Sequence, residues 1–188
     1  MMSVRWCRSA ALLLACLTLA GCTSEPPIGD YTPSPPQDPS TMSSDELYNL
    51  AVQQYQKVFD LYVKLDQNGG TAILPNESHA YLMAPAWNDI NKYFSTMFIN
   101  GYHLDGPQTV KITAISSYIS DDPPDGTLIS IQTCEKSEGA KLVNRDGEAI
   151  TDGKPTLINR HGFFKIDSDG RLKLFWLSST VEESCSIE

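Results

Sequence analysis

Phe98-Ile99-Asn100-Gly101-Tyr102-His103-Leu104-Asp105-Gly106-Pro107-Gln108-Thr109-Val110-Lys111-Ile112-Thr113-Ala114 is the stretch on which the fold turns. Upstream of it, apolar side chains recur every three or four residues, the period of a helix. Downstream they recur every two, the period of a strand, and β-branched residues take over. Asn100-Gly101 is a helix stop and Gly106-Pro107 breaks the chain between the two regimes. A chain that lays down helices first and antiparallel strands second predicts an α+β domain, with N-terminal helices covering one face of a curved sheet.

Working upstream, the helix that stops at Asn100-Gly101 is expected from Pro85 to about Ile99, with Trp87, Ile90, Tyr93, Phe94, Met97 and Phe98 on its buried side. A brief helical turn through Ala80 to Met83 precedes it, after Pro75-Asn76. Earlier still, Ser43-Ser44-Asp45-Glu46 is a capping-box pattern, a serine followed three residues later by a glutamate. Leu47, Leu50, Ala51, Val58, Leu61, Tyr62 and Leu65 then draw one apolar stripe, which Tyr48, Tyr55 and Phe59 widen. Asn68-Gly69-Gly70 closes that helix.

Working downstream, Val110, Ile112, Ala114 and the Ser117-Tyr118-Ile119 end predict one long strand, followed by an acidic loop from Ser120 to Gly126. Leu128, Ile129, Ile131 and Thr133 predict the next, with Cys134 near its far end. Asn144-Arg145-Asp146-Gly147 is a hairpin-type turn, Leu157 to Ile166 a third strand, and Asp167-Ser168-Asp169-Gly170 turns into a strand over Arg171 to Leu177. Residues 43–188 are long enough for one domain with its own core.

The N-terminus is of another kind. Arg5 and Arg8 precede an apolar run from Ala10 to Ala20, and Leu19-Ala20-Gly21-Cys22 follows. Residues 1–21 read as a secretory signal peptide, too short in its apolar run for a membrane span of roughly 20 residues. Leu-Ala-Gly-Cys resembles the lipobox of bacterial lipoproteins, in which the cysteine thiol is diacylated and the preceding peptide bond is cut. The resemblance implies palmitate-type acyl chains on Cys22 and attachment to the extracytoplasmic face of the cell membrane. With a bacterial export signal in place, Asn76-Glu77-Ser78 is read as a helix cap and not as a glycosylation site. Residues 22–42 hold six of the twelve prolines and form a tether with no core-forming residues to speak of.

Losing residues 1–21 takes Lys and Arg from 14 to 12 against 23 acidic residues, so net charge moves from −9 to −11. A surface this acidic argues against nucleic acid as a partner. It also leaves the acyl chains, not a basic patch, to hold the protein at the membrane. Once Cys22 is set aside, Cys134 and Cys185 remain in an oxidising compartment, where one intramolecular disulfide is the expected use. A metal site or catalytic thiol competes with it, without C-x-x-C spacing or a nearby histidine in support.

The order of a long helix, a helical pair and strands ending in a hairpin through an Asp-Gly turn resembles small exported lipoproteins of actinobacteria with a nuclear-transport-factor-2-like, cystatin-like cone domain. Gln132-Thr133-Cys134, the Asp169-Gly170-Arg171 turn ahead of Phe175-Trp176, and Cys185 carry that resemblance over about residues 43–188. It implies a Cys134–Cys185 bridge, in agreement with the cysteine count, and a cone-like sheet able to enclose a pocket. The tryptophan usual shortly after the Asp-Gly turn is displaced here to Trp176, and the Asp121–Asp125 loop has no counterpart.

Residue patterns for chemistry are sparse. Asp167-Ser168-Asp169-Gly170 echoes a calcium loop, but Lys165 and Trp176 fall where its first and twelfth ligands belong, so it is a turn. Asp121, Asp122 and Asp125 lack ligand spacing, and His79, His103 and His161 share no motif; no metal and no cofactor are expected. Binding requires less, a concavity lined by aromatics with polar groups at its mouth. Tyr102, Tyr118, His161 and Trp176 are the ligand-binding candidates, on the concave sheet with the acidic loop at its rim; Phe164 and Trp176 serve equally well as core. The functional expectation is a non-enzymatic binding or assembly module of the envelope, with an envelope protein or a small molecule as partner. One alternative is a phage- or prophage-type lipoprotein for superinfection exclusion. Another, implied by the cone fold, is a small-molecule-binding or isomerase-like protein, for which Asp89, Tyr118 and His161 are the residues of interest.

Overall fold

The computed structural model describes residues 38–185 and 187. The expected signal peptide, Cys22 and most of the tether lie outside the described residues. The first long element, α1 (Ser44–Gln67), begins where the capping box puts it: Ser43 Oγ accepts from the Glu46 backbone N–H at 3.3 Å and Glu46 Oε2 accepts from the Ser43 N–H at 2.9 Å. Its apolar stripe buries Leu47, Ala51, Tyr55, Val58, Phe59, Leu61 and Leu65.

Gly70 ends the helix and fixes what comes next. It sits at φ +83°, and a Cβ there would lie 2.3 Å from the Phe94 carbonyl oxygen of the second helix. Only glycine combines that dihedral with that approach. The adjacent Thr71 N–H donates to the same Phe94 oxygen at 3.2 Å.

The expected turn before the second helix lies a few residues earlier than Ala80–Met83, as a short 3-10 segment at Asn76–Ala80. Asn76 is not a side-chain cap, because Pro75 occupies the cap position and no side-chain capping bond forms. The second helix, α2 (Ala86–Asn100), follows the cis Ala84–Pro85 peptide and ends at Gly101 with φ 66°. It buries Ala86, Ile90, Phe94 and Met97, but Tyr93 and Phe98 face solvent at 47% and 53% exposure. Of the six residues expected on its buried side, Ile90, Phe94 and Met97 are buried and Trp87 packs part-buried against the core.

The strands β1 (His103–Ser117), β2 (Ile129–Val143), β3 (Thr156–Ile166) and β4 (Leu172–Glu182) form an antiparallel meander in the order β1-β2-β3-β4. The sheet is open and the two helices pack on one of its faces, an α+β arrangement. β2 runs nine residues past Cys134, so Cys134 is mid-strand and not near the end. A register shift between Ile112 and Ala114 pairs Ile112 with Glu135 and Ile115 with Thr133. The extra residue brings both isoleucines against the core and turns Ala114 outward, breaking the simple alternation read from Val110-Ile112-Ala114. The core closes between helix residues such as Tyr55, Val58 and Phe94 and sheet residues Ile131, Phe164, Leu172 and Leu174.

Candidate functional site

Strand alternation gives the sheet two faces with different chemistry. On the face turned away from the helices, cross-strand neighbours Ser116, Gln132, His161 and Ser178 make a polar row, and Tyr118, Ser130, Phe163 and Trp176 line up beside it. The imidazole of His161 stacks on Tyr118, and Tyr118 meets Phe163 edge-on at 6.2 Å. Trp176 stands at the edge strand with 45% of its surface exposed.

Over these rings hangs the 120–126 loop. Thr127 ties it back through its N–H and Oγ to the Pro124 carbonyl at 3.1 and 2.5 Å, and Ser130 Oγ donates to the Tyr118 carbonyl at 2.6 Å. The result is a groove of about 540 Å³ with an aromatic floor and Asp122 and Asp125 on its rim. His161 Nε2 and Ser116 Oγ, on either side of Gln132, are buried without a hydrogen-bond partner among the described residues. Buried polar atoms are seldom left so, and of the two residues His161 lines the groove. Burial lowers the pKa of the His161 imidazole, with Glu182 pulling the other way, so the ring is neutral at pH 7.

Three of the four aromatic and imidazole candidates therefore converge. Tyr102 does not join them: it packs against the core at the C-terminal end of α2, where its N–H donates to the Met97 carbonyl at 2.9 Å. Phe164 is fully buried core. Cys134 and Cys185 form a disulfide on the same outer face, one row beyond Gln132 and His161, with Cα atoms 5.8 Å apart across 51 residues. Asp167 and Asp169 both hold Lys173 Nζ, at 2.5 and 3.1 Å, which accounts for the carboxylates of that turn.

The opposite, helix-facing side holds what the sequence reading missed. Glu135, 3% exposed, accepts from Arg160 Nε at 3.0 Å and from the Tyr55 hydroxyl at 2.5 Å. Thr133 Oγ donates to the same tyrosine oxygen at 3.1 Å, and Arg160 reaches Ser179 Oγ at 3.2 Å. The Arg160 guanidinium also lies over the Tyr62 ring, 4.7 Å from its centroid. Burial alone would lower the Arg160 pKa, but the Glu135 carboxylate and the Tyr55 and Tyr62 hydroxyls together outweigh it and the net direction is up. Burial and then the Glu135 charge raise the Tyr55 hydroxyl, which stays protonated as the donor in its bond. The signal was present in the sequence: Thr133 and Glu135 are in phase with Ile131, and Arg160 with Ile158 and Phe164. Two opposite charges thus sit on the core side of neighbouring strands.

Asp89 belongs to this side too. It lines a cleft of about 440 Å³ between the helices and the β3–β4 pair, together with Asp66, Tyr93 and Arg160. His161 and Tyr118 are on the other face, so the three residues of the isomerase-like alternative do not meet. Among the described residues no cluster of three or more His, Cys, Asp or Glu side chains is arranged to hold a metal ion. Compared with known protein families and with curated proteins, the chain matches none.

Proposed function

We propose that this protein is a lipoprotein of the bacterial envelope, held on the extracytoplasmic face of the membrane by acyl chains on Cys22, and that it works by binding through the outer-face groove. The convergence of Tyr118, His161 and Trp176 beneath the acidic loop carries this reading. An aromatic floor suits a ligand or partner segment with a flat apolar face. Carboxylates accept but do not donate hydrogen bonds, so Asp122 and Asp125 call for donors on the ligand. The lipobox-like Leu19–Cys22 and the proline-rich stretch after it support presentation of the folded domain at a distance from the bilayer. The order of a long helix, a second helix and a four-stranded meander supports the nuclear-transport-factor-2-like assignment, with the open sheet in the part of the cone wall.

The test uses Trp176 as its own reporter. In a Trp87→Phe background, titration of envelope glycans, peptidoglycan fragments and envelope protein extracts should give a saturable change in Trp176 emission. Tyr118→Ala and His161→Ala should weaken it at least tenfold with unchanged circular dichroism. Binding that survives both substitutions removes the groove from the function. Cys22→Ala should move the protein from the membrane fraction to the soluble one, and continued membrane association would rule out the anchor.

A further inference from the structure

The cleft on the helix-facing side is a separate cavity from the groove, and its charge is not balanced. Arg160 is the cation among its lining residues, and its guanidinium is already engaged by Glu135, Ser179 and the Tyr62 ring. Against that satisfied pair stand two carboxylates. Asp66, half-buried near the end of α1, receives only the Tyr93 hydroxyl, at 3.4 Å, and has no ion-pair partner among the described residues. Asp89, one helical turn before Tyr93, has none either. The remaining walls are apolar, with Ile90 and Leu177 inside and Val181, 74% exposed, at the mouth beside the half-exposed Tyr93 ring.

We propose that this cleft is a second binding site, whose ligand is a small organic cation, an ammonium group carried on an apolar body. The ammonium donates to Asp66, replacing part of the solvent around a half-buried carboxylate, and its positive charge lies against the Tyr93 ring. The apolar body covers Ile90, Leu177 and Val181. An anion is disfavoured because Arg160 has no unspent charge to offer it, and a neutral ligand leaves Asp66 without a countercharge.

The carboxyl of Asp66 supports the same assignment. Burial pushes it up to about 6, against the smaller opposing effects of the Tyr93 hydroxyl and the Arg160 charge. The groups that face it are Tyr62 from α1, Tyr93 and Asp89 from α2, Arg160 from β3 with Glu135 behind it, and Asp152 with Lys154 across a neighbouring recess. Lys154 is held by Asp152 at 2.6 Å and is not a countercharge for Asp66. A bound cation favours the ionised carboxylate, so it must expel the proton when binding occurs below about pH 6. Affinity therefore rises with pH across this range.

The test is isothermal titration of the full-length protein, in a non-ionic detergent, with n-butylammonium as probe and n-butanol and butyrate as controls. The expected result is saturable binding of n-butylammonium alone, about tenfold tighter at pH 7.5 than at pH 5, since the ionised fraction of a carboxyl titrating near 6 changes by about that factor. Asp66→Asn should weaken binding and abolish the pH dependence, and Asp66→Glu should restore both in part. Tyr118→Ala, in the other groove, should leave the titration unchanged, which keeps this result independent of the outer-face reading. Butanol binding as tightly as butylammonium, or a pH dependence that persists in Asp66→Asn, overturns the proposal, and so does the absence of butylammonium binding at pH 7.5.

Discussion

The imidazole of His161 lies parallel to the ring of Tyr118, with 4.1 Å between centroids and 8° between planes. The stack shields a ring whose Nε2 has no partner among the described residues, and burial lowers its pKa against the opposing charge of Glu182. An NMR titration should place the His161 midpoint below 6.5, and Tyr118→Ala should move it back up. With the folded pKa below the unfolded one, this histidine's contribution to stability is complete above the unfolded value of 6.5 and is lost as pH falls from there through the lower folded value. His161→Gln should remove that part of the pH dependence in urea denaturation.

Arg160→Met leaves Glu135 charged and unpaired inside the fold, an expected loss of about 3–5 kcal/mol. Replacing both, Glu135→Leu with Arg160→Met, should recover most of that loss, since a buried pair and a well-packed apolar pair are often close in stability. Chemical denaturation of the two singles and the double, read as a mutant cycle, checks this. A loss in the double variant equal to the sum of the two single losses would mean that the pair is not coupled.

Reducing the Cys134–Cys185 bridge, or replacing both cysteines by alanine, should cost about 4 kcal/mol in the chain-entropy account of a loop this long. Alkylation of the unreduced, unfolded protein should find neither Cys134 nor Cys185 free. Denaturation midpoints with and without reductant measure the cost.

Gly70→Ala forces a side chain into the left-handed region and against the Phe94 carbonyl. More than about 1 kcal/mol of stability should be lost. Because Gly70 sets how closely α1 meets α2, the Asp66–Tyr93 contact should loosen as well, which the Tyr93 ring resonances would report.

Asp66 gives the opposite pH signature to His161. A carboxyl raised to about 6 binds its proton more tightly in the folded state, so its contribution to stability is complete below the unfolded value near 3.8 and is lost as pH rises through about 6. Asp66→Asn should therefore gain on the parent protein between those limits. The gain should be of the order of 1 kcal/mol, because half-burial leaves solvent to screen the charge. Thermal melts of both proteins across that range provide the comparison.

The helices were legible because their signals are local. The capping box at Ser43, the stripe from Leu47 to Leu65 and the Asn100-Gly101 stop each depend on residues within a few turns of one another. The β3–β4 hairpin could be read from the turn at Asp167–Gly170, which fixes it by its own backbone chemistry, whereas the turn at Asn144–Gly147 only folds the chain back at Ala149 against Val143, and β3 begins later, at Thr156. Strand lengths and faces were less legible, because a single extra residue at Thr113 changes which side chains point inward without altering composition. In the site, Tyr118, His161 and Trp176 could be named from their chemistry but not separated from Tyr102, which differs only in being spent on the fold. Asp66 escaped notice because on its own helix it is an ordinary polar residue near a C-terminus. Its burial is supplied by Tyr93 and β3, neither of which is near it in sequence.

Cys134 and Glu135 are consecutive residues fastened on opposite faces of β2, one covalently to Cys185 and one ionically to Arg160. Sliding β2 by one position would exchange the two faces. Glu135 would then turn to water, Arg160 would be left without its countercharge, and Cys134 would point at the helices, out of reach of Cys185. A misaligned chain thus fails two independent checks at once, and its unspent thiols remain open to exchange until the central pairing is right. The strand proofreads its own alignment, and the disulfide seals only the version that passes.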